Sequence, residues 1–92
     1  MKKVLLAEHD SFLIGVYANE LRKNGFSVSV VRDERIIVSR TKILRPDVLV
    51  LGIHFTKLEK HEDLKDLKII LLSPFEHSSK DLIKEIKKLW NT

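Results

Sequence analysis

The 92-residue chain reads as an α/β domain in three layers, a parallel sheet of about four strands with helices on both faces. Apolar runs at residues 4–7, 48–53 and 69–72, and a period-two segment at 26–31, alternate with stretches whose apolar residues recur at three- and four-residue spacing. The connections are short and carry helix-capping residues, so each strand feeds a helix that returns over the sheet as a right-handed crossover. A chain of this length buries about 60 to 65 per cent of its unfolded surface, which supports one small core, so residues 1–92 are expected to form a single domain.

The first strand is placed at residues 2–7, where Val4, Leu5, Leu6 and Ala7 run into the polar group Glu8, His9 and Asp10, as a buried parallel strand runs into its loop. Asp10 or Ser11 caps a helix over residues 11–24, in which Leu13, Ile14, Tyr17, Ala18 and Leu21 share a face and Asn24 with Gly25 stops the run. Residues 26–31 alternate Phe26, Val28 and Val30 against Ser27, Ser29 and Val31, the pattern of an edge strand with one wetter face. Asp33 caps a second helix over residues 34–44, with Ile36, Arg40, Ile43 and Leu44 near one face, and Pro46 prevents it from continuing.

Residues 47–53 form the most continuously apolar strand, which predicts a central position covered on both sides. Residues 54–65 are charged and offer Phe55, Leu58 and Leu64 for burial, so a brief, marginal helix and a poor crossover are expected there. Residues 68–73 give the fourth strand and Pro74 opens a loop. Ser78 and Asp81 then make a capping box for a final helix, whose apolar stripe is Leu82, Ile83, Ile86, Leu89 and Trp90.

Composition narrows the function classes. At 43% hydrophobic and 33% charged the chain is too apolar for disorder and too charged for a membrane protein, and its apolar runs fall far short of the ~20 residues that cross a bilayer. No secretory signal pattern opens it, so a cytoplasmic location is expected. The absence of cysteine excludes disulfides, thiolate chemistry and Cys-based zinc sites. The net charge of +4 is spread along the chain, and Lys80, Lys84, Lys87 and Lys88 of the last helix are interleaved with Asp81 and Glu85, a solvated face. No nucleic-acid motif accompanies these lysines or Arg32, Arg35, Arg40 and Arg45, and aromatics are too few to stack on a single strand, so a nucleic-acid module is the runner-up.

The chain resembles the receiver domain of bacterial and archaeal response regulators. The resemblance runs through Lys3-Val4-Leu5-Leu6-Ala7-Glu8-His9-Asp10, the helix end Leu21-Arg22-Lys23-Asn24-Gly25-Phe26, and Arg45-Pro46-Asp47-Val48-Leu49-Val50-Leu51-Gly52-Ile53. It resumes at Ser73-Pro74-Phe75 and Lys80-Asp81-Leu82-Ile83-Lys84-Glu85-Ile86. It implies a flavodoxin-like sheet of order 2-1-3-4. It also implies that Gly52 stands where the family carries its phosphoacceptor aspartate, and that Glu8 and His9, with Asp10 next, stand for its acidic pair. Glycine has no carboxylate to phosphorylate, and the remaining oxygens are too few for magnesium, so no metal or other cofactor is expected. Ser73 matches the family's lysine position by its neighbours Pro74 and Phe75 and the Ser/Thr position by its side chain. The first match is preferred, and the chain then lacks one strand-helix unit of roughly 30 residues.

Each of these residues also has a plain structural role open to it. Glu8 and Asp10 can cap the first helix, His9 can be an exposed loop residue, Ser73 can satisfy backbone groups, Gly52 can permit a close approach to the first strand, and Trp90 can pack against the core. The resemblance implies a pseudo-receiver, not an enzyme, that contacts other signalling proteins without phosphorylation. A receiver with residual phosphoacceptor activity is a further alternative. Its interaction surface is expected on the last strand and last helix, at Ile70, Leu72, Pro74, Phe75, Lys84, Lys87 and Trp90. The fourth strand is apolar on both faces yet lies at an edge, so a homodimer is the expected partner arrangement.

Overall fold

The computed structural model describes residues 2–73 and 77–90, so Pro74 and Phe75 lie outside the described residues. Strands β1 (Lys3–Ala7), β2 (Ser27–Val31), β3 (Val48–Leu51) and β4 (Ile69–Leu71) form one parallel sheet in the order 2-1-3-4. Helices α1 (Ser11–Lys23) and α3 (Ser79–Lys88) cover one face, and α2 (Glu34–Leu44) lies over the other. The helix-covered parallel sheet is the one anticipated from the alternating pattern, and its order is the flavodoxin-like one that the resemblance implies.

The period of two along β1 and β3 divides their side chains between two layers. Val4, Leu6, Val48 and Val50 pack with Tyr17, Leu21, Leu82 and Ile86 under α1 and α3. Leu5, Ala7, Leu49 and Leu51 pack with Ile37, Phe55 and Leu64 on the opposite face. All four residues of β3 are buried, as expected of a strand covered on both sides.

The helix boundaries follow local chemistry. Asp10 accepts from the Leu13 amide at 3.0 Å at the start of α1, and Gly25, at φ 85°, supplies the left-handed residue beyond its end. Asp33 accepts from the Arg35 amide at the start of α2, and Arg45 adopts the left-handed region (φ 47°, ψ 61°) just before Pro46. Ser78 and Asp81 form the reciprocal capping box of α3.

Two expectations are corrected. In α2 the buried positions are Ile37 and Thr41, whereas Ile36 is 39% and Ile43 74% exposed. Helical spacing fixes the period of an apolar stripe but not its phase, and the helix is rotated so that the small Thr41 fits beneath it, its hydroxyl donating to the Ile37 carbonyl at 2.7 Å. Leu72, expected on the interaction surface, is 1% exposed, and Ile70 is 8% exposed. Both point into the layer beneath α3, and Leu71 takes the outer place. The crossover after β3 consists of two 3-10 segments, Ile53–Lys60 and Glu62–Leu64, in which Phe55 and Leu64 are the buried anchors.

Ile37→Ala should therefore lower unfolding free energy by about 2 to 4 kcal/mol, whereas Ile43→Ala should change it by less than about 0.5, as read by chemical denaturation. Equal effects would contradict this rotation of α2. Acid titration gives a second check. The Arg35 guanidinium holds Asp33 down to about 2, and hydrogen bonds from Lys42 and from Ser78 lower Asp63 and Asp81. Carboxyls depressed in the folded state stabilise it above their unfolded value near 3.8 and lose that contribution as pH falls through the folded values. Denaturation midpoints should thus decline from about pH 4 downward, and Arg35→Ala should flatten the decline.

Candidate functional site at the carboxyl ends of the strands

In doubly wound sheets the crevice beyond the carboxyl ends of the strands is where ligands sit. Here β1 and β3 are in register from Val4 opposite Val48 to Ala7 opposite Leu51. The ladder runs one step further, with the Gly52 amide donating to the Ala7 carbonyl at 2.7 Å. The pairing therefore places Gly52 directly beside Glu8.

Glu8 is 1% exposed, a buried carboxylate at the mouth of the crevice. Its Oε2 accepts from the amides of His9 at 2.7 Å and Asp10 at 3.1 Å, the turn that leads into α1. These charge-assisted bonds, near the positive end of α1, compensate burial of the anion. Its Oε1 is buried and takes no hydrogen bond from the described residues. That oxygen occupies the space a side chain at position 52 would need. A Cβ there would lie 2.6 Å from Oε1, 2.9 Å from Cδ and 3.0 Å from the Ala7 carbonyl oxygen. Gly52 is thus a steric requirement of the Glu8 position.

The remaining candidates are dispersed in role. Asp10 is the α1 cap. His9 is exposed, with its ring edge-on to His54 at 5.9 Å between centroids, and its carbonyl accepts from Arg32 at 3.2 Å. Arg32 also donates to the Ser11 hydroxyl at 2.8 Å, which binds the end of β2 to the start of α1. Ser73 is half-buried and acts through its backbone: its amide donates to His77 Nδ1 at 3.1 Å and its carbonyl accepts from the His77 amide at 2.7 Å. The Tyr17 hydroxyl donates to the His77 carbonyl at 2.8 Å, and burial, with Glu8 and Asp81 adding to it, raises the Tyr17 pKa. Lys84 and Lys87 are exposed on α3, and Trp90 is half-buried against the core with Lys2 Nζ 4.7 Å from its ring centre.

A magnesium ion of the kind receivers hold does not fit these residues. Gly52 offers no side-chain oxygen, and Glu8 turns one oxygen to amides and keeps the other buried. Among the described residues no three His, Asp or Glu side chains converge as metal ligands. The sequence named both Glu8 and Gly52, but not that one fills the space of the other; the signal available was an acidic residue and a glycine at adjacent strand tips.

Comparison with solved structures places the fold. The chemotaxis response regulator CheY4 of Vibrio cholerae superposes with a TM-score of 0.74 at 17% identity, over 97% of this chain and 98% of that one. A second structure of Vibrio cholerae CheY4, crystallised at pH 4.0, gives 0.70 at 18% identity over 96% and 98%. The fold is that of CheY-type receivers. No family model matches the sequence, and no curated protein matches it. Among the described residues no helix is long and apolar enough to cross a membrane.

Gly52→Asp should destabilise the protein by about 1 to 3 kcal/mol, because the new carboxylate displaces Glu8 from its two amides. Combined with Glu8→Ala, most of that loss should disappear. A double-mutant cycle with coupling below about 0.5 kcal/mol would show that the two positions do not compete for one space.

Proposed function

We propose that this chain is a phosphorylation-independent, receiver-like module that works in signal transduction by contacting another protein, and not as an enzyme. The observation that carries the reading is Glu8 filling the space next to Gly52. Acyl phosphate formation needs an accessible carboxylate in the crevice, an in-line path for the donor and a cation to neutralise its charge. Glu8 is buried and engaged, position 52 has no side chain, and no described cluster would hold the cation.

Around this filled crevice stand a four-stranded sheet and a helical layer on each face. The resemblance to receivers supports a signalling context, and the similar chemotaxis regulator points the same way. A rigid domain without a chemical centre acts through its surface, and the edge of β4 with α3 is the surface proposed to meet the partner.

Incubation with a small-molecule phosphodonor and magnesium, followed by intact-mass measurement, tests the first half of this reading. No added phosphoryl group is expected. A stoichiometric phosphoryl adduct that is lost in Glu8→Gln or Asp10→Asn would overturn it.

A further inference from the structure

His77 ties three elements together where the chain passes from β4 to α3. Its amide donates to the Ser73 carbonyl at 2.7 Å, and its Nδ1 accepts from the Ser73 amide at 3.1 Å, just beyond the end of β4. Its carbonyl accepts from the Tyr17 hydroxyl of α1 at 2.8 Å, and its Nε2 stands 3.2 Å from Oε2 of Glu85 on α3. The next residue, Ser78, caps α3. The ring is largely enclosed, its side chain 17% exposed.

Two neighbours make opposite demands on this ring. A neutral imidazole has one nitrogen that accepts and one that donates. The Ser73 amide is a donor, so it fixes Nδ1 as the bare nitrogen and places the ring proton on Nε2. Glu85 Oε2 is buried and takes no hydrogen bond among the described residues, so an unsatisfied anionic oxygen faces a ring able to carry charge. Asp81, held low chiefly by its bonds with Ser78, adds a second carboxylate from α3, with Lys84 beside it. From α1 comes the Tyr17 hydroxyl, with Glu8 near it, and the end of β4 brings the uncharged Ser73. The Ser73 bond requires a neutral ring, and the carboxylates favour a charged one.

We propose that His77 is a proton-operated latch between β4 and α3. With the ring neutral the latch is closed, Nδ1 resting on the Ser73 amide. Uptake of one proton from solvent at Nδ1 sets N–H against N–H, so that bond opens and the imidazolium pairs with Glu85 instead. The backbone bond from His77 to Ser73 and the bond from Tyr17 need no change, so the fold is kept while the junction loosens. An ordinary histidine titrates at about pH 6.5, so the closed state belongs to mildly alkaline surroundings and the open state to mildly acidic ones. Because α3 belongs to the surface proposed to meet a partner, the latch would make that contact sensitive to pH. This consequence rests on the interaction-module reading, whereas the latch itself does not.

Nuclear magnetic resonance of the full chain, titrated between about pH 8 and pH 5, tests this directly. At the alkaline end the ring nitrogen shifts of His77 should show a bare Nδ1 and a protonated Nε2. As the pH falls both nitrogens should become protonated, and the Ser73 amide resonance should move with the same midpoint. The exchange protection of that amide should drop about five- to tenfold. His77→Asn offers Oδ1 in place of Nδ1, an acceptor that takes no proton in this range, so its Ser73 amide should stay unchanged throughout. Glu85→Gln removes the charged partner, so the Ser73 response should move toward lower pH by about half a unit or more. A protonated Nδ1 at the alkaline end, a ring still neutral at the acid end, or a Ser73 amide indifferent to the ring overturns the proposal. So does a response that persists in His77→Asn or is unmoved in Glu85→Gln. The phosphodonor result is independent of all of these.

Discussion

The parallel pairing of β1 with β3 at the centre of the sheet is the constraint on which the other features rest. Both strands are buried on both faces, and their in-register ladder fixes which residues enter each layer. A slip of one residue would send Leu5 and Leu49 to the side of α1 and α3, and Leu6 and Val50 to that of α2, reversing both layers at once. The same ladder, carried one step beyond β3 to Gly52, brings that backbone against Glu8. The filled crevice is thus a consequence of the core register together with one glycine.

Around this centre the helices are tied down unequally. The α1 and α3 layer is locked by interdigitated apolar side chains, by the bond from Tyr17 to the His77 carbonyl and by Trp90 closing over the sheet. The α2 side relies more on its crossover, where Phe55 and Leu64 are buried and the ion pairs Lys42 with Asp63, at 2.9 Å, and Lys57 with Glu34, at 3.6 Å, span from α2 to the 3-10 segments. These pairs are largely exposed and worth little individually. Local opening should therefore favour the crossover over the α1 and α3 layer, because fewer buried contacts hold it.

Much of the fold was legible because the signals were redundant. Asp10, Asp33 and Ser78 each sit where a helix must start, Gly25 and Pro46 where one must end, and residues 48–51 are apolar without interruption. The rotation of α2 was not legible, since residues 36, 40, 43 and 44 make as good a helical stripe as residues 37, 38, 41 and 44. Only the packing partner decides between them, and here a threonine that can satisfy its own hydroxyl wins a buried place. The outward turn of Leu71 was equally hidden. Residues 69–72 are apolar throughout, so their pattern carries no alternation from which to tell inside from outside.

The site was half legible for a related reason. Sequence shows a glycine at position 52, but the consequence of having no side chain there depends on what moves into its space. Two outcomes were open: an empty, wet notch or a neighbour's side chain. A carboxylate enters a buried notch only when donors wait for it, and the amides of His9 and Asp10 at the start of α1 supply them. Once Glu8 is held there, a side chain at position 52 meets its Oε1 and must displace it to enter. A carboxylate introduced at position 52 would therefore compete with Glu8 for one space, so the two positions are sterically coupled.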